Sequence, residues 1–424
     1  PSVRKMRKGT VVQNANESIL SMLDVLHPEY VADPYPLYQR VRSLDPVYWD
    51  ERMEHWVLTR YQDVISFLRD PRAIADRMNA SPNWLPEELR ETLTPATRAI
   101  VNQMLFLNPP DHTRLRGLVS KAFTPRQVEA LRPQVQQVVD SLLDDVLPLG
   151  QMEVISEFAY SLPIVVIARM LGVPAEDSAQ LIKWSNAFGF LLDGSNFTQE
   201  AGVQALYSMK EFMDYFRSHI RARRNAPQDD ILQVMINAEE QGDKLSEDEL
   251  LGNCILLLAA GHLTTTHLIG NGLLALLRAP EQWQLLRTRP ELIPVAVPEL
   301  LRFDSPVQST ERVAKEDLQI GDKQIKAGQV VTLCLGAANR DPEQFSEPDQ
   351  LKVDRVENRH LAFGQGIHFC LGAPLARLEA EVAFATLTQR LHAPQLATGH
   401  VEREPSRVFR NVKALPITFA PRAS

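Results

Sequence analysis

Cys370 stands in the run Phe363-Gly364-Gln365-Gly366-Ile367-His368-Phe369-Cys370-Leu371-Gly372, and residues 373–390 read as a helix directly after it. A thiol at that point is set up to ionise. The N–H groups of a helix start and the positive end of its dipole both favour the anion. Gly364, Gly366 and Gly372 let the backbone turn tightly and come close to something flat. A lone buried cysteine before a helix would signify little. Three spaced glycines, a phenylalanine and a histidine around it signify more.

The flat group that suits this loop is a haem with Cys370 as its axial ligand. A thiolate on haem iron pushes electron density onto the metal and favours O–O cleavage. A second element must cover the other side. Ser246-Glu247-Asp248-Glu249 reads as a capping box, and no proline follows until Pro280. That predicts a helix of about 30 residues, or about 45 Å. Its middle is Ala260-Gly261-His262-Leu263-Thr264-Thr265-Thr266. Core packing does not call for three consecutive threonines, which are poor helix formers.

Elsewhere helical patterns dominate. Residues 35–43 and 63–69 read as short helices around a hairpin of 47–49 and 55–59. Residues 71–108 lack clear periodicity and read as irregular. From 111 to about 220 the chain reads as mostly helical, with Thr124-Pro125 opening one helix and 161–171 forming another. Residues 188–199 read as an awkward stretch around the turn signal Asp193-Gly194-Ser195-Asn196. Residues 298–301 sit on a further helix, and 318–336 alternates as a small sheet should.

Composition narrows the function. The 424 residues are 44% hydrophobic, ample for a large core. A net charge of −8 speaks against wholesale nucleic-acid binding. The one basic run, Arg221-Ala222-Arg223-Arg224, suits a helix C-terminus. Cys254, Cys334 and Cys370 have neither zinc spacing nor a disulfide framework, which fits a reducing cytosol. Residues 1–10 are polar and basic, unlike a signal peptide or anchor. The longest apolar run, 254–260, is too short to span a bilayer. The expectation is a cytoplasmic protein. No Gly-x-Gly-x-x-Gly follows a strand and no iron–sulfur cysteine set is present, so electrons must come from another protein.

Residues 363–372 fill every fixed position of Phe-Gly-x-Gly-x-His-x-Cys-x-Gly. In this the chain resembles the cytochrome P450 family, over roughly residues 34–417. The resemblance implies a mainly α fold with small β-sheets. It further implies a single domain over 34–424 after an N-terminal segment 1–33, with haem b between the long helix and the cysteine helix. It assigns Cys370 to the iron, and His112, Arg116, Arg312 and His368 to the haem propionates. Phe363, Gly364, Gly372 and Ala260 would also contact the cofactor. Glu299 and Arg302, with Arg355 as the second arginine, would lock the cysteine loop as structural support. Read alone, Glu299 and Arg302 are an ordinary i, i+3 helix pair.

The 260–266 run resembles the family's oxygen-activation motif. There Gly261 would make room for dioxygen, and Thr264, with Thr265 beside it, would organise the oxygen or its water. The usual acid, however, is Leu263, which cannot relay a proton. Ordered water reached through Thr264 or Thr265, a polar group of the substrate, or a different reaction could each answer that. His267 shares the face of Thr264 and titrates near neutrality when unperturbed, though such a histidine is more often a core residue. A substrate pocket is expected from residues 80–107, including Leu105 and Phe106, from Phe188, Leu257 and Leu263, and from Val307 and Gln308.

The expected activity is insertion of one oxygen atom from dioxygen into an apolar small molecule, free or carrier-tethered. The pattern looks closest to members that decorate polyketides and related secondary metabolites. The expected partners are a ferredoxin and its reductase, docking near Arg114 and Arg377, with the chain a monomer. A peroxide-using or rearranging haem-thiolate enzyme is a second reading, motivated by Leu263. A non-catalytic binding module is a third.

Overall fold

A capping box starts the central element. The Ser246 hydroxyl accepts from the Glu249 N–H while the Glu249 carboxylate accepts from the Ser246 N–H at 2.7 Å. The helix that follows, Glu247–Arg278, is 32 residues long. Between residues 250 and 276 only Ala260, Gly261 and Thr264 are not buried. A helix apolar all round belongs in the middle of a core. Ser161–Leu171, Ser178–Asp193 and Gln199–Asn225 pack on it. The cysteine helix Ala373–Arg390 and the helix Ile293–Phe303 pack on it as well. Gly172 and Gly194 end two of these helices at φ +70° and +62°, where a side chain would be strained.

This computed structural model describes residues 21–77, 84–240 and 245–420. The expectation for residues 1–10 and part of that for 80–107 lie outside them. Among the described residues, no helix is long and apolar enough to cross a membrane.

The strands are β1 (Val47–Asp50), β2 (His55–Leu58), β3 (Ala73–Ile74), β4 (Gln151–Glu153), β5 (Ser309–Ala314), β6 (Leu318–Ile320), β7 (Lys323–Ile325), β8 (Val330–Cys334), β9 (His392–Leu396) and β10 (Pro416–Ala420). They form three sheets, ordered β1-β2-β8-β5-β3, β4-β10-β9 and β6-β7. In the first, β2 and β8 run parallel, with Trp56 opposite Val331. β3 pairs with β5 through Ala73 opposite Ala314 and Ile74 opposite Val313. The fold is therefore mainly α with small sheets.

Three local expectations need correction. Residues 71–108 are not irregular throughout, since Glu87–Val101 is a helix. Leu93, Ala96 and Ile100 form its buried stripe, and the interior Pro95 disguised it in the sequence. Residues 188–193 are helical, and the chain turns only at Gly194. The alternation in 318–336 feeds two sheets: β6 and β7 pair with each other, while β8 joins the larger one.

Candidate active site

The cysteine loop is held by backbone bonds and glycine geometry. Asn339 Oδ1 accepts from the Leu361 N–H at 2.7 Å, and the Cys370 N–H donates to the Phe363 carbonyl at 2.9 Å. Gly364 and Gly366 sit at φ +67° and +74°, and a side chain at Gly366 would strike the Leu68 carbonyl. At Gly364 and Gly372 a side chain would meet open space, so that side of the loop is free to approach a planar group. Burial pushes the Cys370 thiol up. The Gly372 N–H, Arg116, the Ala373 N–H and Arg377 work against it and favour the anion.

Beside the loop lies a cluster of basic side chains. The rings of His112 and His368 are 4.3 Å apart. Arg116 donates to the Phe369 carbonyl at 2.7 Å. Arg312, on β5, donates to the Glu311 carbonyl at 2.7 Å. Arg77, just past β3, donates to the same carbonyl at 3.3 Å and lies over the Phe106 ring. Among the described residues no carboxylate is within ion-pair distance of Arg77, Arg116 or Arg312, although Arg312 is only 6% exposed. Burial and Arg77 push Arg312 down to about 10. Burial, then Arg312, His112, Arg77 and Arg116, hold His368 down to about 3, and its buried Nε2 has no partner. Buried cations without an anion are costly. The cluster fits a group that carries carboxylates of its own, as the two propionates of haem do. Arg77 was not legible as part of it, because an isolated arginine in a segment without periodicity gives no signal.

The exposed patch of the long helix is the second half of the site. Ala260, Gly261 and Thr264 are open in a helix otherwise buried on either side of them. The Thr264 hydroxyl donates back to the Ala260 carbonyl at 3.0 Å, which leaves its lone pairs to accept. The threonines diverge. Thr266 bonds the Ala159 carbonyl of the π-helical turn Ile155–Ala159 and is structural, whereas Thr265 is buried and faces Glu379 of the cysteine helix. A side chain at Gly261 would meet Ile167, so the long helix and the Ser161–Leu171 helix come close there. His267 is held down to about 4 by burial and Arg403, and its ring packs on Phe409. It is neutral at pH 7, and its Nδ1 has no partner.

Glu299 and Arg302 are both fully buried, paired at 2.7 and 2.8 Å. Arg302 also donates to the carbonyls of Asn339 and Pro348. Arg355 reaches Glu299 Oε2 at 3.0 Å, as does Asn358. One carboxylate thus gathers the segment that leads into the cysteine loop. Of the expected pocket residues, Leu105 is half-buried, Phe106 lies under Arg77, and Phe188 and Leu257 are in the main core. Leu263 packs against Gly189. Val307 bridges to Phe409. Gln308 is buried, and its amide donates to the Ser305 carbonyl and packs on Gly336.

Two clefts lie outside this site. One of about 670 Å³ runs beside Tyr35, Asp304, Arg340 and Arg410, whose charges are paired among themselves or with near neighbours. The other, about 480 Å³, borders the cysteine loop and is lined by Arg69, Arg359, His360 and Arg377 among others. Arg114, by contrast, pairs with Asp111 and Glu249.

A helical fold with a cysteine loop under a long helix and a carboxylate-seeking cation cluster defines a haem-thiolate protein. The profile of the cytochrome P450 family matches residues 56–289 and 282–407, and the chain belongs to that family. It is 42% identical over 400 residues to the biotin biosynthesis cytochrome P450 of Bacillus subtilis (strain 168), covering 92% of this chain and 97% of that one. It is 38% identical over 408 residues to the polyketide biosynthesis cytochrome P450 PksS of the same organism, covering 93% and 99%. A solved structure of P450BioI with acyl carrier protein ligated to hexadec-9Z-enoic acid superposes with a TM-score of 0.86 at 40% identity, covering 92% and 100%. Membership makes this chain a monooxygenase acting on an apolar substrate, and implies a thiolate-ligated haem b.

Proposed function

We propose that this enzyme inserts one oxygen atom from dioxygen into a C–H or C=C bond of a polyketide or related secondary metabolite, presented free or on a carrier protein. The observation that carries the reading is the open patch of Ala260, Gly261 and Thr264 in a buried helix, flanked by apolar Leu257 and Leu263. The PksS and P450BioI relatives support the substrate class and the carrier, respectively.

Haem held here would supply dioxygen activation. Cys370 would ligate the iron. His112, Arg116, Arg312, His368 and Arg77 would hold the propionates. Thr264 would accept and pass hydrogen bonds at the oxygen. Glu299, Arg302 and Arg355 would keep the loop in place. Electrons would come from a ferredoxin served by its reductase. An acidic partner suits the cleft lined by Arg69, Arg359 and Arg377, because complementary charge steers docking.

The test is a titration of the purified holoenzyme with macrolactones, linear polyketide acids and fatty acids, then with the same acids on a carrier protein, watching the Soret band. The expected result is a shift with one polyketide class, and product formed in step with NADPH and dioxygen through ferredoxin. Cys370→Ser should abolish both. Product formed only from added peroxide would overturn the reading in favour of the peroxide-using enzyme that Leu263 allows. A protein that retains no haem would overturn it altogether.

A further inference from the structure

The cleft of about 480 Å³ beside the cysteine loop lies between the Tyr61–Arg69 helix, residues 358–360 and the cysteine helix. Arg69, Arg359 and Arg377 line it, and no aspartate or glutamate does. Among the described residues none of the three has a carboxylate within ion-pair distance. Their neighbours do pair: Arg60 takes Asp63 and Arg72 takes Asp70, each at 2.7 Å, although Asp70 directly follows Arg69. Arg69 donates only to the Gln365 amide oxygen, at 3.1 Å, and Arg377 lies over the Phe363 ring. A single exposed arginine needs no partner. Three around one concave site without an acid make a field that concentrates anions.

Two further lining residues carry buried polar atoms that lack partners. His360 is 8% exposed. Its Nδ1 accepts from the Ala362 N–H at 3.2 Å, so the neutral ring carries its hydrogen on Nε2. Burial, then Arg377 and Arg302, hold the ring neutral, down to about 3. Its Nε2–H has no acceptor among the described residues. Asn358 donates its amide to Glu299 Oε2 at 3.0 Å, and its buried Oδ1 has no donor. A polar group left unpaired inside a protein is costly, so each such atom calls for a partner. Gln62, Ser66, Gln344 and Gln365 make the rest of the lining hydrophilic, unlike a site for an apolar substrate.

We propose that this cleft is a second ligand site, for a small phosphate ester that carries free hydroxyl groups. The arginines would take the phosphate, since their planar forks match its oxygens. His360 Nε2–H would donate to an oxygen of the ligand, and Asn358 Oδ1 would accept from a hydroxyl. The cleft has the volume of a small-molecule site, of which one inorganic phosphate fills only a fraction. An occupant would deny Arg69, Arg359 and Arg377 to the acidic electron donor and so slow electron delivery. That consequence rests on the ferredoxin reading above; the binding does not.

Calorimetric titration of the holoenzyme with ribose 5-phosphate, inorganic phosphate and ribose, at fixed ionic strength, tests the site. Ribose 5-phosphate should bind one to one, inorganic phosphate about tenfold more weakly or worse, and ribose not at all. Arg69→Gln and Arg359→Gln should each weaken ribose 5-phosphate about tenfold or more. Ser66→Glu, an acid added at an exposed helix position, should abolish binding without touching the core. Saturating the haem iron with imidazole first should leave the affinity unchanged. Equal affinity for ribose 5-phosphate and inorganic phosphate would overturn the proposal in favour of a plain anion patch. Binding indifferent to all three variants, or lost with imidazole, would overturn it by placing the ligand elsewhere. Haem reduction by a plant-type ferredoxin and its reductase should slow as ribose 5-phosphate rises, while reduction by dithionite should not. Ligand binding with undiminished ferredoxin reduction would overturn the competition alone. No reduction by ferredoxin even without ligand would count against the proposed electron donor, and the calorimetry would still decide the site.

Discussion

Ile167 fills the space that a side chain at Gly261 would need: a Cβ there would lie 3.0 Å from Ile167 Cγ1. The long helix and the Ser161–Leu171 helix therefore touch through backbone on one side and a branched side chain on the other. Gly261→Ala gains about 1 kcal/mol of helix propensity and meets only a slight clash, so its stability should stay within about 1 kcal/mol of wild type. Gly261→Val should lose about 1–3 kcal/mol to overpacking. Adding Ile167→Ala to Gly261→Val should recover part of that. Urea unfolding of the variants measures each step.

Arg302 should be intolerant of change. It pairs with Glu299 at full burial and ties the carbonyls of Asn339 and Pro348. Arg302→Ala should cost about 3–5 kcal/mol, because a buried network loses one partner. Arg302→Lys keeps the charge but not the planar fork, and should lose haem retention as well. Thermal unfolding and haem content after purification check both.

Arg77 should matter for cofactor retention although it lies far from Cys370 in sequence. Removing one charged donor from a propionate is worth about 1.5–3 kcal/mol, so Arg77→Met should release haem to a scavenging globin about tenfold faster or more. Arg312→Met should do the same. Equal release from wild type and both variants would exclude a propionate role.

Asp304 sets an acid limit on stability. Burial alone would raise its carboxyl, but Arg410 and Arg403 outweigh burial and hold it at about 2. A depressed carboxylate stabilises the fold above its unfolded value near 4, and the contribution disappears as pH falls towards 2. That contribution is about 2 kcal/mol. Asp304→Asn should flatten the fall in Tm between pH 4 and 2, and should lower Tm at pH 7 by stranding two arginines.

How far the sequence could be read depended on whether each role was local. Cys370 and its glycines lie within ten residues, and the capping box at Ser246 announces the long helix from four. Arg77 acquires its role only when β3 pairs with β5 and brings it beside Arg312, a register that no single segment encodes. Glu379 sits in Arg377-Leu378-Glu379-Ala380-Glu381 and looks there like its neighbour Glu381. Only the packing of two helices buries one of them fully. The helix Glu87–Val101 was obscured because burial of Leu93, Ala96 and Ile100 offsets what Pro95 costs, and composition shows the cost but not the burial.

Arg410 donates to the carbonyls of Val31 and Ala32 as well as to Asp304, and the Tyr35 hydroxyl meets the same carboxylate at 2.8 Å. Arg403 joins Asp304 to Asn271 of the long helix, and Asn271 in turn donates to the Arg410 carbonyl. Residues 31–35 and 403–410 are thereby one clasp, nearly four hundred residues apart along the chain and closed on a single carboxylate. In deuterium exchange the amides of both segments should open as one cooperative unit, and a protease that cuts either should free the other.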